Sequence, residues 1–289
     1  VIRFSKNFAT LQQSRAKAMA SAMFVVNSVV MLSALSASSL LAAPNNRTTI
    51  PDSIKDNSPY AIDFQGNSLQ KVPLQCKVLM VNILEKHYSR PALEKIIASQ
   101  NSLLSVKPNE VGALIVRGFA QWKLDRYHGA QVDLEAALKG HPKITEVNFY
   151  RVLGECYLQR NDYTQALDCF SKMIVYKPTF VMGYLRRCQT YIEIKDYPKA
   201  LPDANKVVQL TQHDTWSLEL RALVNRLNGR FKEAIADCTE GIDQSPNSAG
   251  LYNERSMSYE KLGKKELAEK DKKVWNQFSR ETLLDTLGQ

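Results

Sequence analysis

The stretch Asp162-Tyr163-Thr164-Gln165-Ala166-Leu167 returns thirty-four residues later as Asp196-Tyr197-Pro198-Lys199-Ala200-Leu201. After another thirty-four it returns as Arg230-Phe231-Lys232-Glu233-Ala234-Ile235. Upstream, Arg126-Tyr127-His128-Gly129-Ala130-Gln131 precedes the first copy by thirty-six. Self-similarity at a fixed spacing of this size marks a repeat architecture. The copies set the register of five units, starting at Val111, Val147, Val181, Thr215 and Ala249.

Aligned on those starts, the units agree where packing would demand it. The fourth position is Leu114, Tyr150, Tyr184, Leu218 and Tyr252, and the eighth is small: Gly118, Gly154, Cys188, Ala222 and Ser256. The twentieth is Ala130, Ala166, Ala200, Ala234 and Ala268. The thirty-second is Pro142, Pro178, Gln212 and Pro246, then Arg280 where the array ends. Positions four, eight and eleven share one face of a helix. Small residues at eight and twenty let two antiparallel helices approach closely, and the aromatic at seventeen (Tyr127, Tyr163, Tyr197, Phe231) suits the turn between them. Pro then ends the second helix. No such unit buries its apolar face alone, so the units must stack.

With a small eighth residue, Ala at twenty and Pro at thirty-two, the pattern resembles the tetratricopeptide repeat (TPR). The resemblance covers 111–278 and implies an all-α solenoid of antiparallel helix pairs winding into a right-handed superhelix. It also implies a concave groove lined by the first helix of each unit, at positions two, five, nine and twelve. On that basis Phe119, Trp122, Arg151, Met182, Leu185, Trp216 and Leu223, with Arg186 at position six beside them, are candidates to hold a protein or peptide partner. Large apolar side chains on a nominally wet face indicate an interaction surface, or packing between units or against the linker, with Phe119 the candidate to lie beneath a degenerate unit upstream. Some family members grip a C-terminal carboxylate with Lys at two and five and Asn at six and nine. Here Gly112, Ile115, Val116 and Phe119, then Arg151, Val152 and Glu155, depart from that set, and Arg186 alone fits it.

The seventh position, usually Leu in this family, is Arg117, Leu153, Arg187, Arg221 and Arg255. The twenty-third is Asp133, Cys169, Asp203, Asp237 and Asp271. Wherever one is Arg, the other is Asp. The pattern predicts structural ion pairs within the units, Arg117 with Asp133, Arg187 with Asp203, Arg221 with Asp237 and Arg255 with Asp271. Pairing with the preceding unit would leave Arg187 facing Cys169.

The chain flanking the five units reads less clearly. Counting back from Val111 predicts a degenerate capping pair over 77–110, with Leu84 and Ile96 at the usually small positions and Pro91 opening the second helix. At the other end, a Lys- and Glu-rich second helix should give way to a short closing helix over 279–289. Pro202 falls about one turn past Pro198, so the second helix of the third unit should kink or start late.

From Met23 to Ala43 no residue is charged, and four basic residues precede it. Basic segment, apolar core and small residues are the layout of a secretory signal, so 1–43 reads as a signal peptide. A membrane anchor over 23–43 is the alternative, the stretch being just long enough to span. Its continuous apolar core argues against an organelle transit peptide. Residues 44–76 read as a polar linker.

The net charge of +9 includes +5 from the first fifty residues, which hold no acid. The remainder lacks the clustered basic stripe of a nucleic-acid surface. The five cysteines show no C-x-x-C spacing, and their odd number precludes a complete disulfide framework. Buried free thiols are expected. His87, His128, His141 and His213 show no metal-ligand spacing, and no nucleophile-elbow, P-loop or dinucleotide fingerprint is present. The sequence therefore predicts a scaffold that catalyses nothing and needs no metal or cofactor. It would act in an envelope or secretory compartment, secreted or periplasmic, or as a membrane-tethered adaptor if 23–43 is retained. A subunit that assembles with its own kind is the second reading.

Overall fold

The computed structural model describes residues 74–85 and 88–287. The apolar run 23–43, the linker as far as residue 73 and the first residues of the chain lie outside them; residues 74–76, expected to end the linker, belong instead to the first helix. Twelve helices and no strand occur among the described residues. They are α1 (Leu74–Glu85), α2 (Arg90–Val106), α3 (Val111–Lys123), α4 (Tyr127–Gly140), α5 (Val147–Leu158), α6 (Tyr163–Tyr176), α7 (Val181–Glu193), α8 (Tyr197–Leu210), α9 (Thr215–Leu227), α10 (Phe231–Gln244), α11 (Ala249–Lys261) and α12 (Lys265–Leu287). From α3 onward each odd-numbered helix packs tightly on the helix that follows it, and each pair packs on the next. This is an all-α TPR-type solenoid.

The small residues act where the helices touch. A methyl group on Gly154 would lie 2.6 Å from the Phe170 ring, and one on Gly118 3.0 Å from Leu134. The alanines at position twenty, from Ala130 to Ala234, are fully buried, and Ala268 nearly so. Each turn between paired helices repeats one device. The fifteenth residue of every unit lies in the left-handed region: Asp125, Asn161, Lys195, Gly229 and Gly263, with φ between 59° and 75°. The next amide reaches back across the turn, Arg126 to the Gln121 carbonyl at 2.9 Å and Asp196 to that of Tyr191 at 2.8 Å. This Schellman arrangement satisfies carbonyls that the end of a helix would otherwise leave free. Between units, the fourth-position tyrosines hold the loop. Tyr184 and Tyr252 donate to the carbonyls of Pro178 and Pro246 at 3.1 and 3.0 Å, and Tyr150 to that of Ile144 at 2.8 Å.

One apolar core runs from Met80 through Phe180, and smaller ones form around Cys188 and Val224 and around Cys238 and Leu251. Cys156, Cys169, Cys188 and Cys238 are buried free thiols and Cys76 is partly buried. Burial pushes the first three up to about 12, so they stay protonated and unreactive at neutral pH.

Three expectations need correction. Two helices cover the region upstream of the repeats, but among the described residues α1 packs chiefly on α3 and little on α2. Leu84 and Ile96 are too bulky for the close approach that Gly and Ala permit elsewhere, and Met80, Ile83 and Leu84 join the core of Ile115 and Phe119 instead. At the far end there is no separate closing helix over 279–289, because α12 runs unbroken from Lys265 to Leu287. That stretch holds neither Gly nor Pro to stop it. Finally, α8 does not start late: it begins at Tyr197 with Pro202 inside, and the Asp196 carboxylate caps it by accepting from the Lys199 amide at 3.4 Å. Pro202 and Pro198 are both exposed, so water can serve the carbonyl that loses its partner.

Candidate functional site

Two sets of side chains stand out on the solenoid, one that ties it together and one that faces outward from the first helices.

The tying set is built on the seventh-position arginines. Arg117 donates from Nε and Nη2 to the Asp133 carboxylate at 2.7 and 2.6 Å, and Arg187 to Asp203 at 2.8 and 2.7 Å. Arg255 grips Asp271 at 2.7 and 2.9 Å, and Arg221 grips Asp237 at 3.1 and 2.6 Å. Such two-point grips are the strong form of this contact. The aspartate side chains are only 4–8% exposed and the arginines 16–24%, so neither partner has full water to fall back on. Leu153 and Cys169, the odd pair, are both buried.

A third partner escaped sequence reasoning. The free Nη1 reaches the second helix of the preceding pair: Asn101 Oδ1 at 2.7 Å from Arg117, Ser171 Oγ at 3.1 Å from Arg187 and Thr239 Oγ1 at 3.2 Å from Arg255. Each acceptor lies sixteen residues before its arginine, as each aspartate lies sixteen after. The repeated spacing was the available signal, but a mixture of Asn, Ser and Thr does not announce itself. These arginines therefore join neighbouring pairs as well as the helices within one.

The outward set lies on α3, α5, α7, α9 and α11. Two of its expected members are misplaced. Phe119 is fully buried, packed with Met80, Ile83 and Ile115 beneath α1. Arg151 is 5% exposed, its guanidinium 5.0 Å from the centre of the Trp122 ring. The remaining six, Trp122, Met182, Leu185, Arg186, Trp216 and Leu223, keep partial or full exposure, and Trp216 is 40% exposed.

At the α3–α7 end two of them, Trp122 and Arg186, border a hollow of about 290 Å³, which Lys123, Asp125, Glu155 and Leu158 also line. Glu155 forms an ion pair with Arg186 at 2.9 Å and accepts from Arg151 at 3.4 Å. Arg186 Nε is buried without an acceptor among the described residues. Burial, and then the Arg151 charge, hold the Lys123 ammonium below its ordinary range. At the α9–α11 end the sign reverses. Arg226 grips Glu254 at 2.6 and 3.3 Å. Glu219 makes no hydrogen bond or ion pair among the described residues, and burial followed by the Glu254 charge raises its carboxyl above the usual range. Lys123 was missed because it occupies position thirteen, which the resemblance does not mark, and Glu254 because an acid at position six does not fit the carboxylate grip that singled out Arg186.

Among the described residues no three His, Cys, Asp or Glu side chains are grouped to hold a metal ion. None of those helices is long and apolar enough to cross a membrane.

No protein-family model matches the chain. Superkiller complex protein 3 of Mus musculus is 26% identical over 142 residues, which is 48% of this chain and 9% of that protein. The chain spans between 9% and 21% of the length of the first curated relatives it matches. Among solved structures, YrrB, described as a TPR protein with an unusual peptide-binding site, superposes with a TM-score of 0.54 at 15% identity, covering 65% of this chain and 96% of its own. MamA of Desulfovibrio magneticus RS-1 superposes with a TM-score of 0.52 at 18% identity, covering 57% of this chain and 92% of its own. At these identities the likeness establishes the fold alone.

Proposed function

We propose that the chain is a non-catalytic scaffold that binds a protein, through a peptide or helix laid across the first-helix face from α3 to α11. One observation carries the reading. Leu185, Trp216 and Leu223 keep partial or full contact with water, and none of the three belongs to the apolar cores that hold the solenoid together. Apolar surface gathered in this way gains free energy when a partner covers it. A peptide-binding site is part of the description of YrrB, which shares the fold, and this agrees with the reading.

For the compartment, we infer export to an envelope or secretory space, from the basic segment and apolar run 23–43. Retention of that run would instead make the protein a membrane-tethered adaptor. Mass spectrometry of the mature N-terminus separates the two: a start after Ala34 supports cleavage, and an intact run 23–43 contradicts it.

The binding reading is tested by selecting random dodecapeptides on the immobilised full chain and retesting the selected peptides on Leu185→Glu. This substitution puts a charge in the apolar strip without touching a core residue. The reading expects binders that the variant loses. Absence of binders, or binders indifferent to Leu185→Glu, would overturn it.

A further inference from the structure

The face proposed above is electrically divided. On its α3–α7 side, Lys123 makes no ion pair among the described residues and Arg186 Nε has no acceptor. Glu155 is already shared between Arg151 and Arg186. Three cations, Lys123, Arg151 and Arg186, stand there against two carboxylates, Glu155 and Asp125, around a hollow lined in part by Trp122, so the balance is one positive charge. On the α9–α11 side, Glu219 and Glu254 lie close enough to raise the cost of ionising Glu219, and Arg226 engages only Glu254. Between the two charged ends lie Leu185 on α7 and Leu223 on α9, with Met182 and Trp216 beside them.

We propose, resting on that reading of the face, that its occupant is an extended bipolar segment: a carboxylate that enters the hollow beside Trp122, apolar residues over Leu185 and Leu223, and a Lys or Arg that meets Glu219 and Glu254. Complementary charge at separated points selects partners and fixes their register more than it adds raw affinity, while the apolar middle supplies the affinity. The spacing follows from the fold. Taking about 10 Å between neighbouring first helices, the step from α5, which carries Glu155 of the hollow, to α9, which carries Glu219, spans two of them, roughly 20 Å. An extended chain rises about 3.3 Å per residue, which puts about six residues between the acid and the base.

The dodecapeptide selection tests this through the composition of its binders. The proposal expects an acidic and a basic residue separated by about six positions, with apolar residues between. Tryptophan fluorescence then follows titration of the strongest binder into the parent chain, Arg186→Gln and Glu219→Gln. Each variant is expected to weaken binding about tenfold. Arg186→Gln should lose nothing more when the peptide's acid is also neutralised, and Glu219→Gln nothing more when its base is. Binders that are uncharged or of one sign, or variants that act alike on charged and neutralised peptides, would overturn the bipolar proposal. In that case sensitivity to Leu185→Glu would leave the scaffold reading standing; its own failure is a selection without binders or with binders indifferent to Leu185→Glu.

Discussion

Arg187 and Asp203 define what a single residue does in this chain. Removing only the arginine strands a carboxylate that is 4% exposed, whereas removing both partners together leaves no charge behind. Arg187→Leu is therefore expected to cost about 3 kcal/mol, less if water reaches Asp203, while Arg187→Leu with Asp203→Cys stays within about 1 kcal/mol of the parent. The double substitution installs the Leu–Cys pair that the second unit already uses at Leu153 and Cys169. Urea unfolding of the three chains measures both values, and an additive double variant would refute the pairing. Glu219 carries the pH dependence. Its raised folded-state pKa means that its contribution favours the folded chain fully below its ordinary value of 4.5, and is lost as pH rises through the raised value. Glu219→Gln cannot ionise, so it should be more stable than the parent at pH 7 and lose that advantage by about pH 4. An advantage that does not change with pH would contradict the assignment. At this scale the Arg and Asp positions could be read from the sequence because they vary together within one chain. The burial of Arg151 could not, since it depends on Trp122 of the preceding unit, whereas that of Phe119 had a signal in the helix pair expected upstream.

At the scale of an element, the turn and the helix contact each make a measurable claim. Lys195 holds the left-handed conformation at φ 62°, where the next two units place Gly229 and Gly263. A side chain there is strained against its own carbonyl, so Lys195→Gly should stabilise the chain by about 0.5–1 kcal/mol in urea unfolding. A loss of stability would mean that the Lys195 side chain does more than its geometry indicates. Gly154 makes the opposite claim. Alanine normally stabilises a helix relative to glycine, but here its methyl would meet the buried Phe170 ring at 2.6 Å. Gly154→Ala should therefore cost about 1–3 kcal/mol, and a gain would show that the helices can part without penalty. The small residues were plain in the sequence. The left-handed turns were not, because Asp125, Asn161, Lys195, Gly229 and Gly263 share a backbone conformation and no chemistry. The reach of α12 was missed because the repeat period predicts an end that the residues themselves do nothing to enforce.

At the scale of the molecule, stacking converts a row of helix pairs into one long face, and the arginines that cross from pair to pair hold its register. The fold was legible because it is written five times over. The binding face was legible only in part, since a partner leaves no periodic trace: its charges change sign at the same positions from unit to unit, Arg151 and Glu219 at five and Arg186 and Glu254 at six, and they acquire meaning only when neighbouring helices bring Lys123 beside Arg151 and Glu219 beside Glu254. The claim on which the rest depends is that a partner lies across the first helices. It is tested most directly by placing a photo-cross-linking residue at Leu185, on the first-helix face, and in a separate chain at Val132, exposed on the second helix α4. Illumination in the cells that make the protein should yield a covalent adduct with another protein from position 185 and none from position 132. Adducts from position 132 alone, or equal labelling at both, would contradict the account.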